Sequence, residues 1–366
     1  MDSKVESVIS DEEHSWETAS SSTSSESEGE NYLTDSSESE DESEDESNIQ
    51  RDTSNFMPQW SKTNVSIPQV DNYHAETEKI KNLELRSKLQ EQCTPLQLLK
   101  FFISDEIVES ILNESEKFAK LIFEAKPNAP KISPFSRDEF WIFMGLHMTM
   151  GIHKLPQMSH YWCQNKLVNC PIFGENMSRN RFMEILRVLH FSDNKKPNAQ
   201  NRFWKLDNFF PNLLQKFKLS INPGKYLSLD ESLVGFKGRL AFKQYIPSKR
   251  CRFGIKFFVV VDKETNFVLD MIAYQGKATD LGNLNQELGI GGAAAFSLVS
   301  DFLHKNHKVL TDSWFVSPNL ASKLLEHGTH LLGTVKKCRK GMPKLAGKLS
   351  KGKVETHSTD RLLVER

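Results

Sequence analysis

At Pro223-Gly224 the chain changes its period, and that change limits it to a helical region followed by a sheet. Upstream, apolar residues recur at spacings of three and four: Leu96, Leu99, Phe102 and Ile103, then Ile107, Val108, Ile111 and Leu112. Thr94-Pro95 opens the pattern. Ser136 with Glu139 carries a capping-box signature, and the stretch 140–152 behind it is apolar nearly all round, which predicts a buried helix. Ser178 reads as the cap of another, with Phe182, Ile185, Leu186 and Leu189 inward and Arg179, Arg181 and Arg187 outside. A last helix is expected over 206–217, so residues 95–225 make a mostly helical region.

Downstream the texture is that of strands. Residues 226–229 form a short one ending at Asp230. Runs 255–261 and 267–274 flank the polar loop 262–266, which predicts an antiparallel hairpin. In the looser segment 276–308 a helix is expected over 293–304. A strand at 309–311 then ends at Asp312, a helix at 318–327 is stopped by Gly328, and a strand follows at 331–335. The order β-β-β-α-β-α-β describes a mixed α/β layer architecture.

The N-terminal part can join neither layer. Residues 1–50 hold 17 Asp and Glu against the single basic Lys4, together with 15 Ser, too little apolar surface to offset the entropy of ordering. Residues 1–60 are therefore expected to be a disordered acidic, Ser-rich tail, and 61–94 a linker with one helical turn around 79–89. Ser37, Ser39 and Ser43 each stand three positions before an acid, a pattern acid-directed kinases favour; a plain solvating tail fits it equally. The tail also conceals the charge of the body. Without the first 50 residues the net −1 becomes 46 Lys and Arg against 31 Asp and Glu, an excess of 15 positive charges. Such a surplus suits a polyanion such as DNA, or simply dispersed surface lysines.

Other chemistries find less support. Cys93, Cys163, Cys170, Cys251 and Cys338 are scattered with no C-x-x-C pair, so neither a disulfide framework nor a zinc site is expected. No apolar leader opens the chain and no run approaches the ~18 apolar residues of a membrane span. The expectation is a soluble intracellular protein without a membrane partner. Gly289-Ile-Gly-Gly292 lacks the strand and Lys-Ser/Thr of a nucleotide loop, and no small-molecule substrate is indicated. His304 and His307 have no cysteine or acidic neighbours and read as surface residues. Lys336-Lys337 with Arg339-Lys340 is a basic cluster of the kind used in nuclear import.

Asp230 and Asp312 each end a short apolar strand. If those strands are parallel neighbours, their C-terminal ends open into one crevice. Two carboxylates that close favour a cation between them. Mg²⁺ (or Mn²⁺) suits, since it is held by one or two carboxylates with phosphate oxygens and water. Two such ions about 4 Å apart activate a water or 3′-hydroxyl and stabilise the leaving oxygen in phosphodiester cleavage. Either aspartate alone is equally a turn former or a helix N-cap. Near Asp230, Lys237, Arg239, Lys243, Lys249, Arg250, Arg252 and Lys256 put seven positive charges in 20 residues, interleaved with Phe236, Phe242, Tyr245 and Phe253. They suit the phosphates of double-stranded DNA, or a charged hairpin with aromatic anchors. Trp314 is placed to stack on a base or to pack under the site.

The residues around both acids resemble a family. Leu227-Ser-Leu-Asp-Glu-Ser-Leu-Val-Gly-Phe-Lys-Gly-Arg239 resembles the block around the first catalytic aspartate of piggyBac transposases. Phe242, Tyr245-Ile-Pro-Ser-Lys249 and Phe253-Gly-Ile-Lys256 follow in the family's order. Leu310-Thr-Asp-Ser-Trp-Phe315, Leu320-Ala, Leu324-Leu and Gly333-Thr-Val335 are similar to the block around the second. Met177-Ser-Arg-Asn-Arg-Phe182 and Ile185-Leu-Arg-Val-Leu-His-Phe191 resemble its helical domain, so the likeness covers about 95–345. It implies an RNase-H-like core over 226–366, with its first and fourth strands parallel neighbours, behind a helical dimerisation and DNA-binding region over 95–225. Asp230 and Asp312 would then be two members of a DDD metal triad. The implied activity is cut-and-paste DNA transposition at TTAA sites, by a nuclear homodimer acting on transposon ends.

The chain also departs from that pattern. The family's third aspartate lies beyond a further strand-rich stretch, whereas here 54 residues follow Asp312. Glu355, Asp360 and Glu365 sit in no matching block, no cysteine-rich tail is present, and Ser313 stands where an Asn usually does. The expectation is a DDE-superfamily transposase by descent, its core C-terminally incomplete and its cleavage impaired. A non-enzymatic DNA-binding or chromatin protein adopted from a transposon, a decayed fragment, and a truncated gene model of a full enzyme are the other readings.

Overall fold

Helices give way to strands just after Pro223-Gly224 in the computed structural model, which describes residues 58–62, 73–74, 76–125, 132–195, 198, 201–206, 209–247, 249–281, 283–345 and 354–365. The acidic tail and its serines lie outside the described residues. The chain divides into two units: Cys93–Leu213 with Gly238–Ala241, and Leu214–Lys237 with Phe242–Arg366 together with the described residues up to Gln92. β1 (Ser61–Lys62) and α1 (Leu83–Gln90), capped by the Asn82 side chain, belong to the second.

The first unit is built of α2 (Pro95–Phe102), α3 (Asp105–Ala125), α4 (Arg137–Ile152), α5 (Pro171–Asn176) and α6 (Arg179–Val188), with a 3₁₀ turn at Met158–Trp162. Thr94 with Gln97 and Ser136 with Glu139 both close capping boxes at helix starts. α3 buries Ile107, Val108, Ile111, Ser115, Phe118 and Ile122, one stripe at helical spacing. α4 was expected to be buried throughout, yet only its Phe140–Phe143–Leu146 side is; Ile152 at its end is 89% exposed. Arg181, expected on the outside, is half-buried: its guanidinium donates to Glu139 at 2.7 Å, to Glu184 at 3.1 Å and to the carbonyls of Ser133 and Pro134. The last helix, α7 (Phe210–Ser220), begins later than expected because a 3₁₀ turn at Trp204–Leu206 takes its place.

The second unit carries a mixed sheet of β2 (Tyr226–Gly235), β3 (Gln244–Tyr245), β4 (Phe253–Asp262), β5 (Val268–Ala273), β6 (Lys308–Thr311) and β7 (His330–Gly333), in the order β3-β4-β2-β6-β7 with β5 paired to β4. The β4–β5 hairpin is antiparallel as expected, while β2–β6 and β6–β7 are parallel. β2 does not end at Asp230. It runs on to Gly235 because β4 continues to pair with it, Glu231 opposite Phe258 and Gly235 opposite Gly254. α8 (Leu284–Val299) packs on β4 and β5, and α9 (Pro318–Glu326), capped by Ser317, packs on β7 and α8. α8 starts well before the expected 293 and is broken at Gly289, whose φ of +69° is outside the helical range. Under these helices lie Leu227, Leu229, Phe258, Val260, Val309, Leu320 and Leu324, all at most 1% exposed. β8 (Thr356–Ser358) and β9 (Leu363–Glu365) form a small antiparallel sheet with β1, which the sequence pattern does not announce.

In the second unit two more residues overturn their sequence readings. His307 is fully buried rather than on the surface, its Nδ1 2.8 Å from the Gly224 carbonyl. Lys79, in the segment read as a linker, reaches the buried Asp262 carboxylate at 3.0 Å, beside backbone bonds that tie Lys79, Lys81 and Asn82 to Ser220 and Asn222.

Candidate metal centre

Strand register brings the two predicted acids together. β2 and β6 pair in parallel from Tyr226↔Lys308 to Leu229↔Thr311, so Asp230 and Asp312 are the next two residues in step. Parallel neighbours lie about 4.8 Å apart, and side chains alternate between faces. Leu227, Leu229, Val309 and Thr311 point to the helix-covered face; Ser228, Asp230, Leu310 and Asp312 share the other. Both aspartates are exposed. Asp230 accepts the Glu231 N–H at 2.7 Å and Asp312 the Trp314 N–H at 3.1 Å, the latter holding a turn closed by Phe315 and Val316 N–H bonds to the Asp312 carbonyl. Among the described residues neither carboxylate takes an ion pair.

The adjacent acid is differently engaged. Glu231 points to the helix-covered face, where Lys256 sits 3.1 Å away and Lys249 at 3.6 Å. Lys256 is buried, its ammonium 4.6 Å from the Trp314 ring centroid and within 5.4 Å of those of Phe258 and Tyr274. Trp314 stacks on Phe258 at 5.2 Å, so it packs beneath the site. Of the seven predicted phosphate contacts, Lys256 is thus turned inward onto Glu231. Lys237, Arg250 and Arg252 are exposed, Lys243 and Lys249 half-buried. Arg239 is exposed within the short excursion counted with the first unit.

Two supports went unseen in the sequence. Arg339, read only as part of a basic cluster, donates to the carbonyls of Trp314 at 2.5 Å and Ser313 at 3.2 Å, fastening the turn after Asp312. Gly291, in the run rejected as a nucleotide loop, lets α8 approach that turn: a Cβ there would lie 2.8 Å from the Trp314 carbonyl oxygen. A glycine run was the signal, and close packing is its reason.

Two exposed carboxylates side by side fit Mg²⁺ or Mn²⁺, which take few protein ligands and complete their shell with phosphate and water. Among the described residues no three His, Cys, Asp or Glu side chains gather into a metal-holding group. The described cysteines carry no disulfide, and no described helix is long and apolar enough to cross a membrane.

A family model described as Transposase IS4 matches residues 94–364. Human PiggyBac transposable element-derived protein 3 is 27% identical over 248 residues, 67% of this chain and 40% of that protein. Human PiggyBac transposable element-derived protein 2 is 22% identical over 283 residues, 76% of this chain and 45% of that protein. The chain therefore spans less than half the length of these curated relatives. Its fold is similar to that of a piggyBac transposase in a synaptic complex with hairpin DNA, with a TM-score of 0.66 and 21% identity over 79% of this chain and 63% of that one.

Proposed function

The chain belongs to the Transposase IS4 family in its piggyBac branch, and from that premise we propose that its second unit is the DNA-handling core of a cut-and-paste transposase by descent. What supports this is the β2–β6 register, which sets Asp230 beside Asp312 on one exposed sheet face. Mg²⁺ or Mn²⁺ bound there supplies activation of a water or 3′-hydroxyl and stabilisation of the leaving oxygen. The chain's own part is to hold both carboxylates in step, through the parallel ladder on one side and the Trp314–Arg339 turn on the other. Lys237, Arg250 and Arg252 neutralise phosphates flanking the bond. The substrates are double-stranded transposon ends and TTAA targets, met in the nucleus by a homodimer.

Taken by itself, the 366-residue chain brings two carboxylates to this spot, and it is expected to bind DNA while cutting it inefficiently. That observation favours a second reading, a DNA-binding protein adopted from a transposon. Both are tested with the purified 366-residue chain on labelled duplex DNA, by gel shift and by nicking in Mg²⁺ or Mn²⁺. Binding without nicking is the expected result. Robust cleavage that disappears in Asp230→Asn overturns the impairment, and no binding at low salt overturns the DNA reading altogether.

A further inference from the structure

Beyond the carboxylates, the same strand carries a second feature on the same face. β2 keeps its pairing with β4 to Gly235↔Gly254, and Phe236 N–H continues it by donating to the Phe253 carbonyl at 3.1 Å. Alternation then puts Asp230, Ser232, Val234 and Phe236 on one face, with Phe253 opposite Phe236. β3 adds Tyr245 directly across from Phe253. The two rings lie 4.7 Å apart at 37°, and Lys243 Nζ sits 5.7 Å from the Phe253 centroid. None of these side chains is covered: Val234 is 53% exposed, Phe236 37%, Tyr245 43% and Phe253 46%. Exposed aromatics of this size, gathered at one end of a strand, signal a binding surface.

The charge around them states the partner. Lys237, Arg250 and Arg252 are exposed around this hairpin, and no acid lies in its sequence between Gly235 and Phe253. With Lys243 over the Phe253 ring and further exposed cations in the same hairpin, this tilted aromatic pair is complementary to a nucleic acid whose bases are available for stacking, in which phosphates meet the cations and a base meets a ring face. In an intact duplex the base faces are already stacked on one another, so only an unpaired nucleotide can use the rings. At about 3.3 Å per strand residue, Phe236 lies roughly 20 Å along β2 from Asp230. That is the span of about six base pairs at 3.4 Å each, on the face that carries the acids. We infer that Tyr245 and Phe253 form a stacking platform for an unpaired nucleotide of DNA lying along this sheet face. This rests on the DNA reading above and names which part of the DNA the hairpin tip recognises.

The test uses the full chain and two fluorescein-labelled probes of equal length, one fully paired and one with a four-nucleotide unpaired stretch. Stacking on an aromatic side chain is worth about five- to a hundredfold per base in alanine substitutions. Wild type is expected to prefer the partly unpaired probe. Tyr245→Ala and Phe253→Ala should each weaken that probe by about fivefold or more and leave the paired one within about twofold. Tyr245→Phe should retain the preference, which separates stacking from a folding defect, and circular dichroism of each variant checks the sheet. The salt dependence of binding should keep its slope in the alanine variants, because no phosphate contact is removed. Duplex binding with no preference for unpaired DNA, or equal losses on both probes, overturns the platform while leaving the DNA reading intact. Absence of any DNA binding by wild type overturns both. Loss of self-association in the alanine variants, with DNA preference retained, would instead make the face a contact with a second copy and overturn the platform.

Discussion

Asp262 shows how much of the second unit hangs on single residues. Its carboxylate is fully buried, yet it accepts from the Gly224 N–H at 2.8 Å, the Thr265 N–H at 3.1 Å and the Thr265 hydroxyl at 2.6 Å, with Lys79 at 3.0 Å. Burial alone pushes its pKa up, but the bonds from Thr265, Gly224 and Lys79 outweigh it and hold the group below the ordinary carboxylate value. A carboxyl with a depressed folded pKa stabilises the fold above its unfolded value near ~3.9, and that stability is lost as the pH falls through the folded pKa. Asp262→Asn is therefore expected to cost about 3 kcal/mol at pH 7, by stranding donors and part of a buried pair. In urea unfolding the gap to wild type should narrow progressively as the pH falls below about 4; a gap that stays undiminished down to the lowest pH at which wild type remains folded refutes the assignment. The sequence showed Asp262 as the opener of a hairpin loop, which it also is, since its carbonyl accepts the Asn266 N–H at 2.8 Å. Its partner Lys79 was invisible, because a charge pair between distant segments leaves no local pattern. The same holds for His307, which reads as a surface residue for want of cysteine or acidic neighbours and whose partner is the distant Gly224 carbonyl.

At the scale of elements, legibility followed periodicity. The β4–β5 hairpin was readable because Val- and Phe-rich runs flank a polar loop, whereas the parallel pairing of β2 with β6 followed from the family resemblance and not from the residue pattern. β2 was cut short in the reading because Glu231 and Ser232 look like the end of an apolar run. In fact they belong to a strand with one face open, on which Ser232 points outward while Glu231 turns inward to Lys256. β8 and β9 leave no pattern because three residues are too few to show a period: β8 pairs with the distant Ser61 and Lys62, and β9 with β8. The contact between α8 and the Asp312 turn gives a prediction that belongs to this scale. A methyl at Gly291 would press on the Trp314 carbonyl and ring, at 2.8 and 3.1 Å, whereas one at Gly151 in α4 meets nothing within 4 Å. Gly291→Ala should thus destabilise by about 1–3 kcal/mol through overpacking. Gly151→Ala should be neutral or stabilising by up to about 1 kcal/mol through helix propensity. Thermal melts of the two variants beside wild type decide it, and equal shifts would show that α8 does not bear on the turn.

Over the whole molecule the relevant quantity is how charge is disposed. The chain is near neutral only because 17 acids in its first 50 residues offset a body with 15 surplus positive charges. Sequence spacing could not sort those cations, since Lys237 and Lys256 look alike in a basic run. Burial sorts them. Lys256 is 7% exposed and spends its charge on Glu231, while Lys237, Arg250 and Arg252 face solvent. Each phosphate neutralised releases about 0.9 counterion from duplex DNA, so the salt dependence of binding reports how many cations touch it. Replacing Lys237, Arg250 and Arg252 together by alanine should flatten the slope of log K against log salt by about 2–3 and leave the melting temperature nearly unchanged. Lys256→Met should do the opposite. It removes a buried partner of Glu231 and lowers stability by about 2–4 kcal/mol, yet leaves the slope of the folded protein as it was. A slope that falls by a full unit in Lys256→Met would mean that this lysine leaves its aromatic surroundings to meet a phosphate, and the division between inward and outward cations would have to be redrawn.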